Sequence, residues 1–343
     1  MDRAPSTDFA WAIIGPGRIA HRFAEALAAL PATHLRCVHG RDVERAAAFA
    51  QRWQREAAAP VRVDTDLDTL LADPRVDAVY VATPHASHAA CVRRCLEAGK
   101  PVLCEKPLAP TLAQARELVA LSRERRVFLM EALWTRLLPL YTGVRRWLDE
   151  GAIGTVQALQ SSFCFAVPYA PESRLFDPAL AGGTLLDIGI YNLAMTRWVL
   201  EASPGTCPEP TAMHCAGVLV ASGVDQRVAA LLEFPGGVSS QFVCAFDGHA
   251  DNTLRIHGSV GTITVAAPFW GATTAVLARP GQPDQTLHAA HRINGFEEEI
   301  EELMHCVRAG RIESPRLPHA ETLGLVAWID TLRARLGVSY PFE

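Results

Sequence analysis

Residues 9–20 read FAWAIIGPGRIA and decide the fold of the first part of the chain. The first six residues are apolar, which predicts a buried strand over 9–14, and the amphipathic, alanine-rich segment that follows predicts a helix over 18–30. Gly15, Pro16 and Gly17 lie between them and form a tight turn from strand into helix. This order of strand, glycine turn and helix predicts the first unit of a parallel α/β sheet.

The same alternation continues to residue 133. Short apolar runs alternate with amphipathic segments, which implies a doubly wound parallel sheet with helices on both faces and right-handed crossovers. The further strands are predicted over 34–39, 78–82, 101–104 and 127–132, the further helices over 43–55, 87–98 and 112–125, and a shorter strand and helix within 61–72.

The pattern changes after residue 133. From 213 to 267, apolar runs are separated by glycine-containing turns, which predicts an antiparallel meander. We therefore predict two domains, an α/β dinucleotide-type domain over 1–133 and an α+β domain over 134–343. Other elements of the second domain are predicted as helices over 139–150, 185–200, 296–309 and 319–336, with a long strand over 154–167. The acidic run within 297–302 is interpreted as a solvated helix face.

Composition excludes several classes of protein. A chain of 343 residues is too long for one ordinary core, and the net charge of −5 argues against a nucleic-acid surface. No apolar run approaches the roughly 18 residues of a membrane span, and the polar N-terminal residues resemble no export signal. Nine scattered cysteines are typical of free thiols. We expect a cytoplasmic protein.

The glycine turn predicts a dinucleotide site. Gly15, Gly17 and Ala20 have the spacing G-x-G-x-x-A, in the strand–turn–helix context that this site requires. The first glycine makes the turn, the second lets the backbone approach a pyrophosphate, and Ala20 permits close helix–strand packing. The helix N-terminus, with Arg18 and Ile19, would face the phosphates.

The end of the second strand bears on the choice between NAD and NADP. An NAD site has a carboxylate there to bind the ribose 2′-hydroxyl. This chain has Arg41, a permanently charged donor that suits a 2′-phosphate, although a plain solvated arginine is the alternative. Asp42 comes one residue later and is predicted to cap the helix that starts at Val43. We expect NADP, with NAD less favoured.

Lys106 follows the predicted strand over 101–104, directly after Glu105. Ligands of open α/β sheets bind beyond the carboxyl ends of the strands. Lys106 would therefore stand beside the dinucleotide, where it could handle a substrate's proton during hydride transfer. Glu105 is expected at the same cofactor edge.

The segment Thr83-Pro84-His85-Ala86-Ser87-His88 follows the strand over 78–82 and should line the cofactor cleft. His85 and His88 could be metal ligands, but no third ligand is obvious nearby, so we predict no metal. From its place at the strand end, we expect this segment, with Thr83, Pro84 and His88, to line the cofactor cleft.

Asp187 and Tyr191 are four residues apart and would share one face of the helix over 185–200. With Lys106 they could form a proton-relay cluster, because nearby cationic charge lowers the pKa of a phenol or an amine. Taken alone, Tyr191 would more often be a core tyrosine and Asp187 a helix cap. The pairing with Lys106 favours catalysis.

These motifs together resemble the glucose–fructose oxidoreductase/inositol dehydrogenase (Gfo/Idh/MocA) family. Residues 130–136, 185–191 and the tail 337–341 resemble the branch of dimeric trans-dihydrodiol dehydrogenases and NADP-dependent D-xylose 1-dehydrogenases. The resemblance implies a Rossmann domain, then a domain with an open, mainly antiparallel sheet whose exposed face often forms a homodimer. It also implies that Lys106 and Tyr191 are the acid/base pair and that Asp187 orients them.

The substrate stays open between related classes. Sugar and inositol dehydrogenases usually carry histidine where this chain has Tyr191, which favours the dihydrodiol-like branch. We expect an NADP-dependent oxidoreductase for a secondary carbinol of a cyclic polyol, either an aldose at C1 or a trans-dihydrodiol. Rival hypotheses are a sugar–sugar oxidoreductase that retains its nucleotide and a non-catalytic nucleotide-sensing regulator.

Three further residues are candidates for substrate binding. Trp134 and Arg136 follow the strand over 127–132, and Trp270 could add an aromatic wall from the second domain. Unpartnered aromatic residues are about as often plain core.

Overall fold

The computed structural model describes residues 8–54 and 59–343. Arg55, the last residue of the helix predicted over 43–55, and the N-terminal residues 1–7 lie outside the described residues. The strands up to residue 133 are β1 (Phe9–Ile14), β2 (Thr33–His39), β3 (Arg62–Asp64), β4 (Ala78–Val81), β5 (Val102–Glu105) and β6 (Leu129–Ala132). The helices are α1 (Arg18–Ala29), α2 (Val43–Arg52), α3 (Leu67–Leu71), α4 (His85–Glu97) and α5 (Leu112–Arg125).

The remaining elements follow the predicted order. The helices are α6 (Pro139–Asp149), α7 (Ile190–Leu200), α8 (Glu297–Arg308) and α9 (His319–Leu336). The strands are β7 (Val156–Cys164), β8 (Ala212–Leu219), β9 (Asp225–Glu233), β10 (Ser239–Ala245), β11 (Leu254–Gly258), β12 (Thr262–Val265), β13 (Thr274–Ala278) and β14 (Gln285–His288). The helix predicted over 185–200 begins with a π-helical turn, Leu185–Gly189, before α7. We call this segment the π turn.

The described residues divide into two compact units. The first contains residues up to Ala109, Ala113–Trp134 and Arg292–Pro315, and the second contains Pro110–Leu112, Thr135–His291 and Arg316–Glu343. Arg292–Pro315, which the sequence assigned to the second domain, thus packs in the first unit. A hydrogen bond from the Leu129 N–H to the Ile312 carbonyl (3.0 Å) ties this segment to β6.

The first unit contains a sheet of six parallel strands among the described residues, in the order β3-β2-β1-β4-β5-β6. The predicted doubly wound sheet is therefore confirmed. The strand order reverses between β1 and β4, which lie side by side at the centre. In such sheets the carboxyl ends of the strands at this point form the ligand-binding crevice. The glycine turn, Thr83 and Lys106 all follow strands at this edge.

The second unit contains a sheet of eight strands in the described part of the chain, in the order β14-β13-β12-β11-β7-β10-β9-β8. Its strands pair antiparallel except for β7 and β10, which run parallel. The predicted open, mainly antiparallel sheet is confirmed. Helices α7 and α9 pack on the sheet.

The prediction of a solvated acidic face on α8 is wrong for two of its residues. Glu297 and Glu299 are fully buried. Glu297 accepts hydrogen bonds from the backbone N–H groups before the helix, those of Ile293, Asn294 and Gly295. Neither oxygen of Glu299 has a hydrogen-bond partner among the described residues. Burial, together with the charge of nearby Glu105, raises the pKa of Glu299 well above its ordinary value.

Glu299→Gln should stabilise the protein increasingly as the pH rises above about 4.5. The folded state holds the Glu299 proton more tightly than the unfolded chain does, so the stability it contributes is complete below the unfolded pKa. That stability is lost as the pH rises toward the folded pKa, at about 1.4 kcal/mol for each pH unit. Glutamine does not ionise, so urea unfolding at pH 4.5, 6 and 8 should show a growing advantage for the variant.

The matched control is Glu124→Gln on α5, since the Glu124 side chain is 73% exposed. This control should leave the free energy of unfolding unchanged at each pH. If the free energies of unfolding of Glu299→Gln and the unmodified chain changed equally with pH, that result would contradict the account.

Candidate active site

The glycine turn has the geometry that a dinucleotide requires. Gly15 has a φ of +91°, and a Cβ there would lie 2.8 Å from the Ala82 carbonyl oxygen, so only glycine lets β1 end this close to β4. A Cβ at Gly17 would meet no heavy atom of the described residues within 4 Å. Gly17 is the N-cap residue directly before α1, and Ala20 is fully buried against the sheet. The first N–H groups of α1 thus stand beside open space, as an incoming pyrophosphate needs.

The two charged residues that follow β2, Arg41 and Asp42, have different surroundings. The Asp42 carboxylate accepts a hydrogen bond from the Arg45 N–H (3.0 Å), which confirms the prediction that Asp42 caps α2. Arg41 is exposed. At this position the arginine, rather than the carboxylate, is available to a ligand.

Lys106 lies on a backbone segment that is fixed on both sides. The Tyr80 hydroxyl donates to the Glu105 carboxylate in a buried hydrogen bond. The Leu108 N–H donates to Glu131 Oε1 (2.8 Å), and Glu131 is itself buried. Lys106 is half-buried at the carboxyl end of β5. The sequence did not indicate Tyr80 or Glu131, because neither departs from an ordinary strand pattern.

His88 braces the same edge of the sheet. Its ring is fully buried, with Nδ1 2.7 Å from the Pro107 carbonyl and Nε2 2.8 Å from the Thr83 carbonyl. Burial lowers its pKa. The ring therefore joins the loop after β4 to the loop after β5, and this position indicates a brace rather than a ligand contact. Thr83 and Pro84 are half-buried at the end of β4.

Across residues 8–54 and 59–343 there is no cluster of three or more histidine, cysteine, aspartate or glutamate side chains with ligand geometry. The same residues include no helix long and apolar enough to cross a membrane.

In the second unit, Asp187 and Tyr191 are both buried, with side chains on the π turn and on the first turn of α7. Arg174 Nη1 donates to Asp187 Oδ1 (3.0 Å), and the Arg174 side chain is 46% exposed. Arg174 lies in an irregular segment that gave no signal in the sequence. The ion pair fixes the orientation of the Asp187 carboxylate.

Trp270 and Tyr191 both border the ring of Phe163. The Tyr191 and Phe163 ring centroids are 5.7 Å apart, and Trp270 stacks on Phe163 at 3.3 Å with an interplanar angle of 5°. Trp270 is half-buried. Its placement supports the interpretation of an aromatic wall near Tyr191.

The other two candidates for substrate binding have packing partners instead. Trp134 is buried in the first unit, against the ring of Phe296 (5.3 Å between centroids) and the Arg22 guanidinium (5.2 Å). Arg136 is buried in the second unit, where it binds both oxygens of Glu201 (2.8 and 2.9 Å) and Glu321 Oε1 (2.7 Å). These partners occupy both side chains and do not support contact with a substrate.

Two family models match the chain. Residues 9–133 match the model of the oxidoreductase family with an NAD-binding Rossmann fold. Residues 141–264 match the GFO/IDH/MocA C-terminal domain.

Known proteins resemble the chain along nearly its whole length. The trans-1,2-dihydrobenzene-1,2-diol dehydrogenase of Mus musculus is 34% identical over 338 residues, 96% of this chain and 98% of the relative. A 3-ketoreductase from Actinomadura kijaniata, solved with NADP and TDP-benzene, has a TM-score of 0.81 at 28% identity and covers 95% of this chain and 97% of its own. An aldose-aldose oxidoreductase from Caulobacter crescentus shares the fold, with a TM-score of 0.84 at 24% identity over 96% of this chain and 98% of its own.

Gly17→Ala tests the open space beside α1. The added methyl group meets no described atom, so the melting temperature should stay unchanged, whereas a dinucleotide should bind at least about tenfold more weakly because its pyrophosphate needs that space. The measurements are thermal unfolding without cofactor and fluorescence titration with NADPH.

The matched variant is Gly15→Ala, which should lower the melting temperature because its Cβ would press on the Ala82 carbonyl. Unchanged NADPH affinity in a folded Gly17→Ala protein would contradict the assignment of this turn to the cofactor.

Proposed function

The chain belongs to the Gfo/Idh/MocA family of oxidoreductases, and from that premise we propose that it is an NADP-dependent dehydrogenase for a secondary carbinol of a cyclic polyol. The substrate classes are a trans-dihydrodiol and an aldose at C1. The Mus musculus relative is a dehydrogenase of a cyclic diol and the Actinomadura kijaniata protein is a ketoreductase, which supports chemistry that interconverts a carbinol and a ketone. The observation that carries the proposal is Lys106, held on a fixed segment at the same sheet edge as the glycine turn.

The cofactor would be held by residues at this edge. Gly15 and Gly17, with Arg18 and Ile19 at the start of α1, would bind the pyrophosphate. Arg41 would pair with the 2′-phosphate that distinguishes NADP. The nicotinamide half would lie near Thr83, Pro84, Glu105 and Lys106, with His88 acting behind them as a brace. When bound, the nicotinamide supplies the hydride acceptor for an alcohol or the hydride donor for a ketone.

The chain's own acid–base chemistry needs a group that takes the hydroxyl proton. Tyr191 would take it as the phenolate and return it in the reverse direction. The positive charge of Lys106 would stabilise that phenolate. Asp187, held by Arg174, would orient the pair.

Trp270 would form part of the substrate pocket. Its indole stacks on Phe163 next to Tyr191, so a flat or cyclic substrate near the phenol would meet an aromatic surface. We do not extend this role to Trp134 or Arg136, because their partners lie in the packed interior.

We also propose a cytoplasmic homodimer. The nine cysteines are all free thiols, as a reducing compartment maintains them. Exposed residues on β9 and β10, such as Ala229 and Gln241, belong to a sheet face that a second copy could cover.

Lys106→Met and Tyr191→Phe should each lower kcat by about 10²- to 10⁴-fold, the usual contribution of a general acid or base. Both should leave NADPH binding within about twofold, because neither change alters the glycine turn. The assay follows absorbance of the reduced nicotinamide with trans-1,2-dihydrobenzene-1,2-diol and with D-xylose. Near-normal turnover in both variants would remove the acid/base assignment.

Arg41→Ala should raise the KM for NADP by about 10- to 100-fold, the worth of a charge-assisted hydrogen bond, and should leave the KM for NAD nearly unchanged. The control is Arg123→Ala, an exposed arginine on α5 that changes the net charge equally. Equal effects of the two substitutions on the KM for NADP would show that Arg41 does not read the 2′-phosphate.

A further inference from the structure

Residues 182–184, directly before the π turn, contact a strand that has no part in the proposed acid–base chemistry. Gly183 has a φ of +118°, and its N–H donates to the Leu175 carbonyl (2.9 Å). Two residues later the π turn begins at Leu185, and it carries Asp187. Whatever fixes residues 183–185 therefore also fixes the direction in which the π turn starts.

Asp225, the first residue of β9, makes that contact. It is fully buried, and its Oδ2 accepts hydrogen bonds from Thr184 Oγ1 and from the Leu185 N–H, both at 2.7 Å. A Cβ on Gly183 would lie 2.3 Å from Asp225 Oδ1, so the carboxylate occupies the space that a side chain at 183 would need. The absence of a side chain at Gly183 therefore leaves room for the Asp225 carboxylate.

This contact determines the phase of the helix that follows. Successive side chains of an α-helix point about 100° apart around the helix axis. A π turn contains one residue more than an α-helical turn, and it can convert to regular α-helix when that extra residue is taken up. That conversion would rotate Asp187 and Tyr191 relative to each other and to the sheet. Asp225 opposes that change because it binds the backbone N–H of the first residue of the π turn.

Other groups near Asp225 also contact this turn. Tyr340, in the tail that follows α9, donates its hydroxyl to the Gly182 carbonyl (2.7 Å) on the same turn. The Arg333 guanidinium stacks on the Tyr340 ring at 4.5 Å. Burial raises the pKa of Asp225, and its hydrogen bonds and the charge of Arg333 oppose that rise. Cys244 of β10 packs against the end of the π turn, where a Cβ on Gly189 would be 3.0 Å from its sulfur. The tail that resembles the family thus contacts the turn as well.

We propose that Asp225 is a positioning residue, which holds the π turn so that Asp187 and Tyr191 face the reacting carbinol. The inference rests on the proposed role of Tyr191 as the proton acceptor. It predicts that the side chain at 225 sets turnover without touching substrate or cofactor.

The test compares Asp225→Ala, Asp225→Asn and Thr184→Val with the unmodified enzyme. Asp225→Ala should lower kcat by about 100-fold, the effect of a misplacement near 1 Å, and should shift the pH profile of kcat. NADPH affinity should stay within about twofold. Asp225→Asn should keep part of kcat, since both contacts need only an acceptor oxygen. Thr184→Val removes one of the two contacts, so its kcat should lie between those of Asp225→Ala and the unmodified enzyme. The control Asp284→Asn, at an exposed turn, should change nothing.

Two results would overturn the inference. One is a folded Asp225→Ala protein with normal kcat and an unchanged pH profile. The other is a loss of kcat that follows only the fraction of folded protein, with the pH profile of the remainder unaltered. If Asp225→Ala does not fold, Asp225→Asn and Thr184→Val decide by the same criteria.

A crystal structure of Asp225→Ala, or of Thr184→Val if the alanine variant does not fold, separates this inference from the proposed function. A rewound or shifted segment 184–189 supports positioning by Asp225 even if Tyr191→Phe keeps full turnover, which would defeat only the acid/base role. An unchanged segment would defeat the positioning role, whatever Tyr191→Phe does.

Discussion

Buried backbone polar groups must find partners, and that requirement determines how this protein presents its candidate reactive side chains. The His88 ring contacts the Pro107 carbonyl through Nδ1 and the Leu108 N–H donates to Glu131, so Lys106 extends from a segment with little freedom. In the other unit the Leu185 N–H is satisfied by Asp225. In both places a buried acceptor or ring from another element fixes the backbone beside the reactive residue. Such support is what a site needs to keep its geometry.

Local pattern accounts for most of the fold. The helices Leu112–Arg125 and His319–Leu336 begin and end where apolar periodicity predicts, and β1 does as well. The sequence also predicted the glycine turn at residues 15–17 and the Asp42 cap, because turns and caps depend on neighbouring residues. What local pattern could not show was the return of Arg292–Pro315 to the first unit. That return buries Glu297 and Glu299, so an acidic run that is typical of a solvent face becomes part of a core.

The candidate site divides in the same way. Gly15, Gly17, Lys106 and Tyr191 stand in motifs with a mechanism attached to their spacing, so the sequence was sufficient to propose them. Tyr80, Arg174 and Asp225 become visible through partners 13 to 41 residues away in the chain, which no spacing rule connects. Arg136 differs from both groups, since this charged residue next to a site motif is buried and binds Glu201.

The central proposal is that Lys106 and Tyr191 act together on one proton. A double-mutant cycle on kcat, with Lys106→Met, Tyr191→Phe and the combined variant, tests it most directly. Residues that work as a unit are not additive, so the combined variant should be no more than about twofold slower than the slower single variant. Losses that multiply, as they do for independent sites, would contradict the account.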